Sequence, residues 1–401
     1  MPDTKASFRT EFLPTPGDIP AELWAACFPP PLEGSFWYET LHESGLEDQF
    51  SFHYGLIRSG DTPVGIAPAF LHDVPISLVA PKPVAAVLRI LSRWFPRAAV
   101  QRTFFVGSPC SDEGTVGLVP GVTLDQVGNS LLEAVRAKAR LLGAPMVVFK
   151  DFGERDLPVL EAISAGRRFF TIPSYPGTCV SLPPGGKDAY LKSLAHTQRH
   201  NLLKKLRRSR ERLELDTAVV ERPGDAELSE ILGLFLQTYE KGKTKFERLD
   251  RRFFEQIRSR REARFILQRD RANGQLVSFM LVFVLGGRVI NKFIGIDYSR
   301  TEGTYLYFRL FDAALDFAYG IGAGEVQSGQ TGYRAKFDLG HGLVPLFNVC
   351  RHENVAVNTV FRAIGSRLTW RTLDSDLEAY LRAHPKMDRS RGGPDRLRHG
   401  H

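Results

Sequence analysis

Between Thr123 and Ala144, apolar side chains fall at Leu124, Val127, Leu131, Leu132, Val135, Ala139 and Leu142. That is a helical period, and it predicts an amphipathic helix of about six turns. Upstream, "SFWYETLHESG" opens as a helix at Ser35 and stops at Gly45. The runs "QFSFHYGLIRSG" and "TPVGIAPAFLH" are strand-like and meet at the turn "SGD", which predicts an antiparallel hairpin. A helix near residues 83–95 and the strand "QRTFFVGSP" lead into the long helix, and the buried strand "APMVVFKDF" and the helix "RDLPVLEAISAG" follow it.

Around "RRFFTIPSYPGTCVSLPPGG" the periodicity gives way to strand pieces broken by Pro and Gly, which places a domain junction near residue 170. Beyond it the pattern predicts a long basic helix from Lys187 to about Leu213 and a helix pair across residues 226–259. The strands "ARFILQRD", "QLVSFMLVFVL" and "RVINKFIGIDY" come next. Their short links "RANG" and "GG" predict a meander. Then come the helix "TYLYFRLFDAALDFAYGIG", the strand "GEVQSGQ", a Gly-rich segment too small and polar for a good helix, and the strand "PLFNVCRHE". Helices over residues 354–372 and 374–383 close the chain.

Two stretches share one plan of helix, Gly-Ala stop, buried strand and turn: "LLEAVRAKARLLGAPMVVFKDFGERD" and "YFRLFDAALDFAYGIGAGEVQSGQTGYRAK". The fold class that follows is α+β, two tandem domains, each a mixed, mostly antiparallel sheet covered by helices. The expected division is residues 1–170, 171–384 and a flexible basic tail over 385–401.

A length of 401 residues with 43% hydrophobic and 24% charged positions agrees with two folded domains and excludes a disordered scaffold. No run approaches the roughly 18 apolar residues of a membrane span, and "MPDTKASFRTEF" lacks a signal-peptide core. A cytoplasmic protein without integral membrane contact is expected, and a monomer, because a tandem repeat buries its own interdomain surface. Cys27, Cys110, Cys179 and Cys350 are scattered, so neither a disulfide framework nor a zinc site is indicated.

The net charge of +8 favours an anionic partner, whether a phosphate-bearing cofactor, a nucleic acid or an acidic surface. Eight Lys or Arg stand against one acid between Lys192 and Arg212. Leu191, Leu194, Leu202, Leu206 and Leu213 form an apolar stripe there, leaving Lys204, Lys205, Arg207, Arg208 and Arg210 on the remaining surface. That surface is either a solvated face or a phosphate-binding one. His196 and His200 lack a carboxylate at ligand spacing and read as surface or packing histidines. In "GSPCSDEG", Ser108, Ser111 and Asp112 either make an ordinary turn or bind a polar acceptor, with Asp112 attracting its ammonium group.

The order of elements resembles the GNAT N-acetyltransferase superfamily, and the whole chain looks like its FemAB-like branch, in which two such domains sit in tandem. The residues carrying the resemblance are "YLKSLAHTQRHNLLKKLRRSRE", "FIGIDYSRTEGTYLYFRLFDAALDFAYGIGA" and "GQTGYRAKFDLGHGLVP", with "SFWYETLHESG" and "FVGSPCSDEG" in the first half. It covers about residues 30–355.

This resemblance implies an enzyme that forms an amide. An activated acyl group moves from acyl-CoA or aminoacyl-tRNA, as co-substrate and not as a tightly bound cofactor, to a small-molecule or cell-wall-precursor amine. It further implies a pyrophosphate loop at "RTEGTY", where Arg300 and Gly303 fit, Thr304 takes the position between, and Tyr305 stands in place of a small residue. A helix start there attracts a phosphate through its free amides and dipole, while Gly303 and Thr304 also fit a plain turn and cap. Lys336 is implied to stabilise the oxyanion of the reacting carbonyl, and Tyr333 to act as general acid toward the leaving thiol or ribose oxygen. A non-catalytic RNA-binding or interaction protein on a degenerate form of the same fold is the alternative class.

Overall fold

The computed structural model describes residues 7–75, 100–242, 247–300 and 302–390. The helix expected near residues 83–95 and the tail beyond 390 lie outside the described residues. In chain order the first half carries β1 (Phe8–Leu13), α1 (Ala21–Cys27), α2 (Ser35–Glu43), β2 (Ser51–Ser59), β3 (Thr62–Pro75), β4 (Val100–Val106), β5 (Gly117–Leu118), α3 (Leu124–Leu141), β6 (Met146–Gly153), α4 (Leu157–Ser164) and β7 (Phe170–Pro173). After it come β8 (Gly177–Ser181), α5 (Gly186–Ser193), α6 (His196–Arg212), β9 (Leu215–Val220), α7 (Asp225–Lys241), α8 (Arg251–Ile257), β10 (Ala263–Asp270), β11 (Leu276–Leu285) and β12 (Arg288–Ile296). The last part holds α9 (Leu306–Gly320), β13 (Glu325–Gln327), α10 (Tyr333–Asp338), β14 (Gly342–Val344), β15 (Leu346–His352), α11 (Val355–Gly365), α12 (Trp370–Leu373) and α13 (Ser375–Ala383).

Two mixed, mostly antiparallel sheets result, as the alternating pattern predicts. One runs β1-β2-β3-β4-β6-β15-β7 with β5 beside β3, the other β14-β8-β13-β12-β11-β10-β9. Each contains a four-stranded antiparallel meander followed by one parallel pair, β4 with β6 and β12 with β13. The edges interlock. The chain leaves β7 in the first sheet to enter β8 in the second, and leaves β14 in the second to return as β15 between β6 and β7. "PLFNVCRHE", which the sequence places in the second half, is therefore a strand of the first sheet.

β11 explains how the halves share a core. Its side chains alternate between two clusters: Phe279, Leu281 and Phe283 face one and Val277, Met280 and Val282 the other. Burial on both faces is what allows a near-continuous apolar run. Phe36 and Trp37 of α2 reach Phe283 at 5.3 Å between ring centroids, and Trp37 meets Phe253 of α8 at 6.1 Å, so aromatic pairs bind the halves.

Three elements depart from the sequence pattern. The basic helix is broken at Leu194, which is extended and buried against Gly340, and the chain restarts where the Gln198 side chain accepts from the Ala195 amide. The Gly-rich segment does form a short helix, α10, because Tyr333 and Phe337 bury against Trp370, Leu377 and Leu381. The helix expected over 354–372 is two helices, α11 and α12.

Candidate functional site

β12 and β13 pair only over Arg288–Ile290 with Glu325–Gln327, after which β13 ends and β12 runs on to Ile296. The separation opens a cavity of about 550 Å³ walled by α7, the start of α9 and the turn after β13. A register shift in β12 skips Lys292, so this bulge re-aims the strand beside the cavity. Asn291 and Lys292 both line it, as do Glu247, Ser328, Tyr305 and Lys336.

Lys336 lies at the floor. The turn Ser328–Gly332 passes through left-handed backbone at Thr331 (φ 65°) and Gly332 (φ 61°), which folds three successive carbonyls toward one point. Lys336 Nζ donates to the carbonyls of Ser328, Gly329 (3.0 Å) and Gln330 (3.2 Å). An ammonium has three hydrogens for these three acceptors. Burial pushes its pKa down to about 7, with the negative charge of Asp112 opposing the fall. Behind it His341 bridges Lys336 O (3.1 Å) and Ser328 Oγ (3.0 Å), and Asn291 Nδ2 donates to the same Oγ at 2.7 Å.

Asp112 belongs to the wall behind this turn: its carboxylate accepts from Gln327 Nε2 at 3.2 Å and abuts Gly329. Lys292 supplies the ammonium facing it, 3.9 Å away. Lys292 Nζ itself pairs with Glu33 at 2.6 Å and donates to Cys110 O at 2.7 Å, with only 1% of its side chain exposed. Ser111 accepts from Trp37 Nε1 at 3.0 Å, and Ser108 is buried behind the wall; neither lines the cavity. Tyr333 is also turned away. It is fully buried, and its hydroxyl donates to Pro176 O at 2.8 Å, which leaves it no proton for a leaving group in the cavity.

At the mouth, Arg300 is held by Asp270 at 2.5 Å, Asp297 at 3.3 Å and Gln275 at 2.8 Å. Thr304 Oγ1 donates to Arg300 O, and Tyr305 enters α9 in left-handed backbone (φ 48°) and lines the cavity. The cation lying over this turn is Arg212, from the end of α6. It donates to Glu302 O at 3.3 Å, and a Cβ at Gly303 would sit 2.3 Å from its guanidinium. The rest of α6 divides. Lys205 pairs with Asp338 at 2.6 Å and Arg210 with Asp312 at 3.1 Å, so acids from α10 and α9 supply what the helix itself lacks.

Of the residues singled out in the sequence, Lys336 and Tyr305 line the cavity and Asp112 stands behind its turn; Lys292, Glu247 and Asn291, which also line it, and Arg212, over the turn before α9, were not among them. Nothing local marks Lys292 or Asn291, because a bulge that aims them is a property of strand pairing.

Residues 196–329 match the family described as Acetyltransferase (GNAT) domain. The stretch ends within the turn Ser328–Gly332, short of α10, which carries Lys336. No curated protein sequence matches the chain. Among solved structures, FemX aligns over 88% of this chain and 100% of its own at 12% identity, with a TM-score of 0.56. L-PGS from Bacillus licheniformis aligns over 82% and 93% at 13% identity, with a TM-score of 0.50. The likeness to these two structures shows that the chain shares their fold, and the GNAT match falls within its second half. Among the described residues no helix is long and apolar enough to cross a membrane.

Proposed function

We propose that this protein is an N-acyltransferase that moves an activated acyl group from acyl-CoA or aminoacyl-tRNA to an amine, forming an amide. The observation that carries the reading is the buried cation of Lys336 at the floor of an open cavity between separating strands. In its protonated form this ammonium favours, through its charge, the oxyanion that forms when an amine attacks a thioester or ester. Arg212 and the turn before α9 offer a phosphate of either carrier a cation and a helix start. Arg300, tied to two aspartates, serves to shape that turn. A non-catalytic role on a degenerate fold has the open cavity against it.

The test is to purify the protein, measure the nucleic-acid to protein absorbance ratio with and without RNase, and identify released small molecules by mass spectrometry. Co-purifying acyl-CoA or tRNA, followed by an amide product when an amine is added, supports the reading. RNase-sensitive RNA with no amide product from any donor points to the non-catalytic class.

A further inference from the structure

Asn291 lines the cavity, is 9% exposed, and its Oδ1 has no hydrogen-bond partner among the described residues. The orientation of this amide follows from hydrogen-bond direction once His341 is neutral. Lys336 O can only accept, so His341 Nδ1 donates to it. Burial and the neighbouring Lys336 charge keep His341 neutral, with its pKa pushed down to about 3, so Nε2 is a lone pair. Ser328 must then donate to Nε2, which leaves Oγ only its lone pairs for Asn291. Asn291 therefore turns its amino group to Ser328 and keeps its carbonyl oxygen free.

Glu247 lines the same cavity from the stretch between α7 and α8. Beyond its own backbone amide, its carboxylate has no hydrogen bond or ion pair among the described residues. The charges it faces are Lys150, Lys292 and Asp112. One cavity thus presents an amide oxygen without a donor and a carboxylate held only by its own backbone amide, and an acceptor left unpaired away from water is destabilising. A ligand bearing several N–H groups and a positive charge meets both needs.

We propose that Asn291 Oδ1 and the Glu247 carboxylate seat the nitrogen nucleophile, a primary amine that arrives as its ammonium ion. This rests on the acyl-transfer reading for its chemistry, though not for its binding. Asn291 accepts one N–H and fixes the direction of the lone pair, while Glu247 accepts the proton that the ammonium must lose. The neutral nitrogen then bonds to the acyl carbon, and the C–S or C–O bond to the carrier breaks. The leaving sulfur or oxygen takes the second nitrogen proton, and Glu247 returns the first to solvent. Burial pushes the Glu247 pKa up to about 7, which suits a base working near neutral pH.

The test is ligand-observed NMR with n-butylammonium as probe and n-butanol as its uncharged control, on the full chain at pH 8, where Glu247 is ionised. Saturable binding of the ammonium alone, weakened tenfold or more in both Asn291→Ala and Glu247→Gln, is expected. Glu247→Gln replaces a partly exposed group by its isostere and keeps the test valid if Asn291→Ala fails to fold. Equal affinity in the variants, or no saturable binding by the wild type, overturns the seat. Transfer assays separate the two readings. Donor consumption at wild-type rates in both variants removes the seat and leaves acyl transfer standing, whereas a working seat with no donor consumed removes acyl transfer.

Discussion

Lys292, on the bulged strand of the second sheet, places its Nζ 2.6 Å from Oε1 of Glu33 in the first half of the chain. With side chains 1% and 10% exposed, the pair is buried at the contact between the halves and stacked near Trp37, 4.8 Å from its ring centroid. Removing one partner leaves a buried charge uncompensated, at about 3–5 kcal/mol. Lys292→Met should therefore lower unfolding free energy in urea by about that much, and adding Glu33→Leu should recover a large part of it. A single variant as stable as the wild type would show the pair to be solvated.

Lys336 offers the sharpest test of the chemistry. Loss of one oxyanion-stabilising group costs roughly 10²–10³ in kcat, so Lys336→Ala should lose amide formation to that degree while keeping its circular dichroism spectrum. A folded variant with unchanged turnover rules the role out.

Tyr333 is expected to behave differently. Its hydroxyl is engaged with Pro176 O inside an apolar cluster, so Tyr333→Phe removes one buried neutral hydrogen bond, about 0.5–1.5 kcal/mol. Turnover should stay within about twofold of wild type, whereas a general acid would lose roughly 10²–10⁴. Parallel denaturation and rate measurements decide between them.

Arg212 should matter for the donor and little for the chemical step. Arg212→Ala is expected to raise the donor KM roughly tenfold, equivalent to ~1.4 kcal/mol, with kcat little changed and a shallower salt dependence. Gly303→Ala, which drives a methyl group into the Arg212 guanidinium at a backbone φ of +70°, should have the same signature. A pure kcat effect in either variant would remove Arg212 from the phosphate site.

His341 ties stability to pH. Its folded pKa, pushed down to about 3 by burial, lies below the ordinary value of 6.5. Between these values the unfolded chain binds a proton that the folded chain refuses, so stability is complete above about pH 6.5 and falls as pH drops toward 3. The slope from one such group approaches 1.4 kcal/mol per pH unit. His341→Asn should flatten the profile of unfolding free energy between pH 6 and 4, as followed by urea titration; an unchanged slope would assign the acid sensitivity elsewhere.

What could be read in the chain was whatever depends on neighbours in sequence. The 3.6-residue period of residues 124–142 determined α3, the "GG" link determined the β11–β12 hairpin, and the small polar turn around Lys336 marked a basic side chain held by glycines. Asp112 was legible as a candidate, although its facing ammonium is Lys292 of this same chain. The tertiary structure alone decided the rest. A strand's partner is chosen by long-range hydrogen bonding, so "PLFNVCRHE" carries no sign that it returns to the first sheet. A bulge exists only between two paired strands, so nothing in "RVINKFIGIDY" announces that Asn291 and Lys292 enter a cavity. Burial, finally, is collective: the same Tyr-x-x-Lys stretch exposes neither residue, because the helices after residue 354 cover Tyr333 and three backbone carbonyls enclose Lys336.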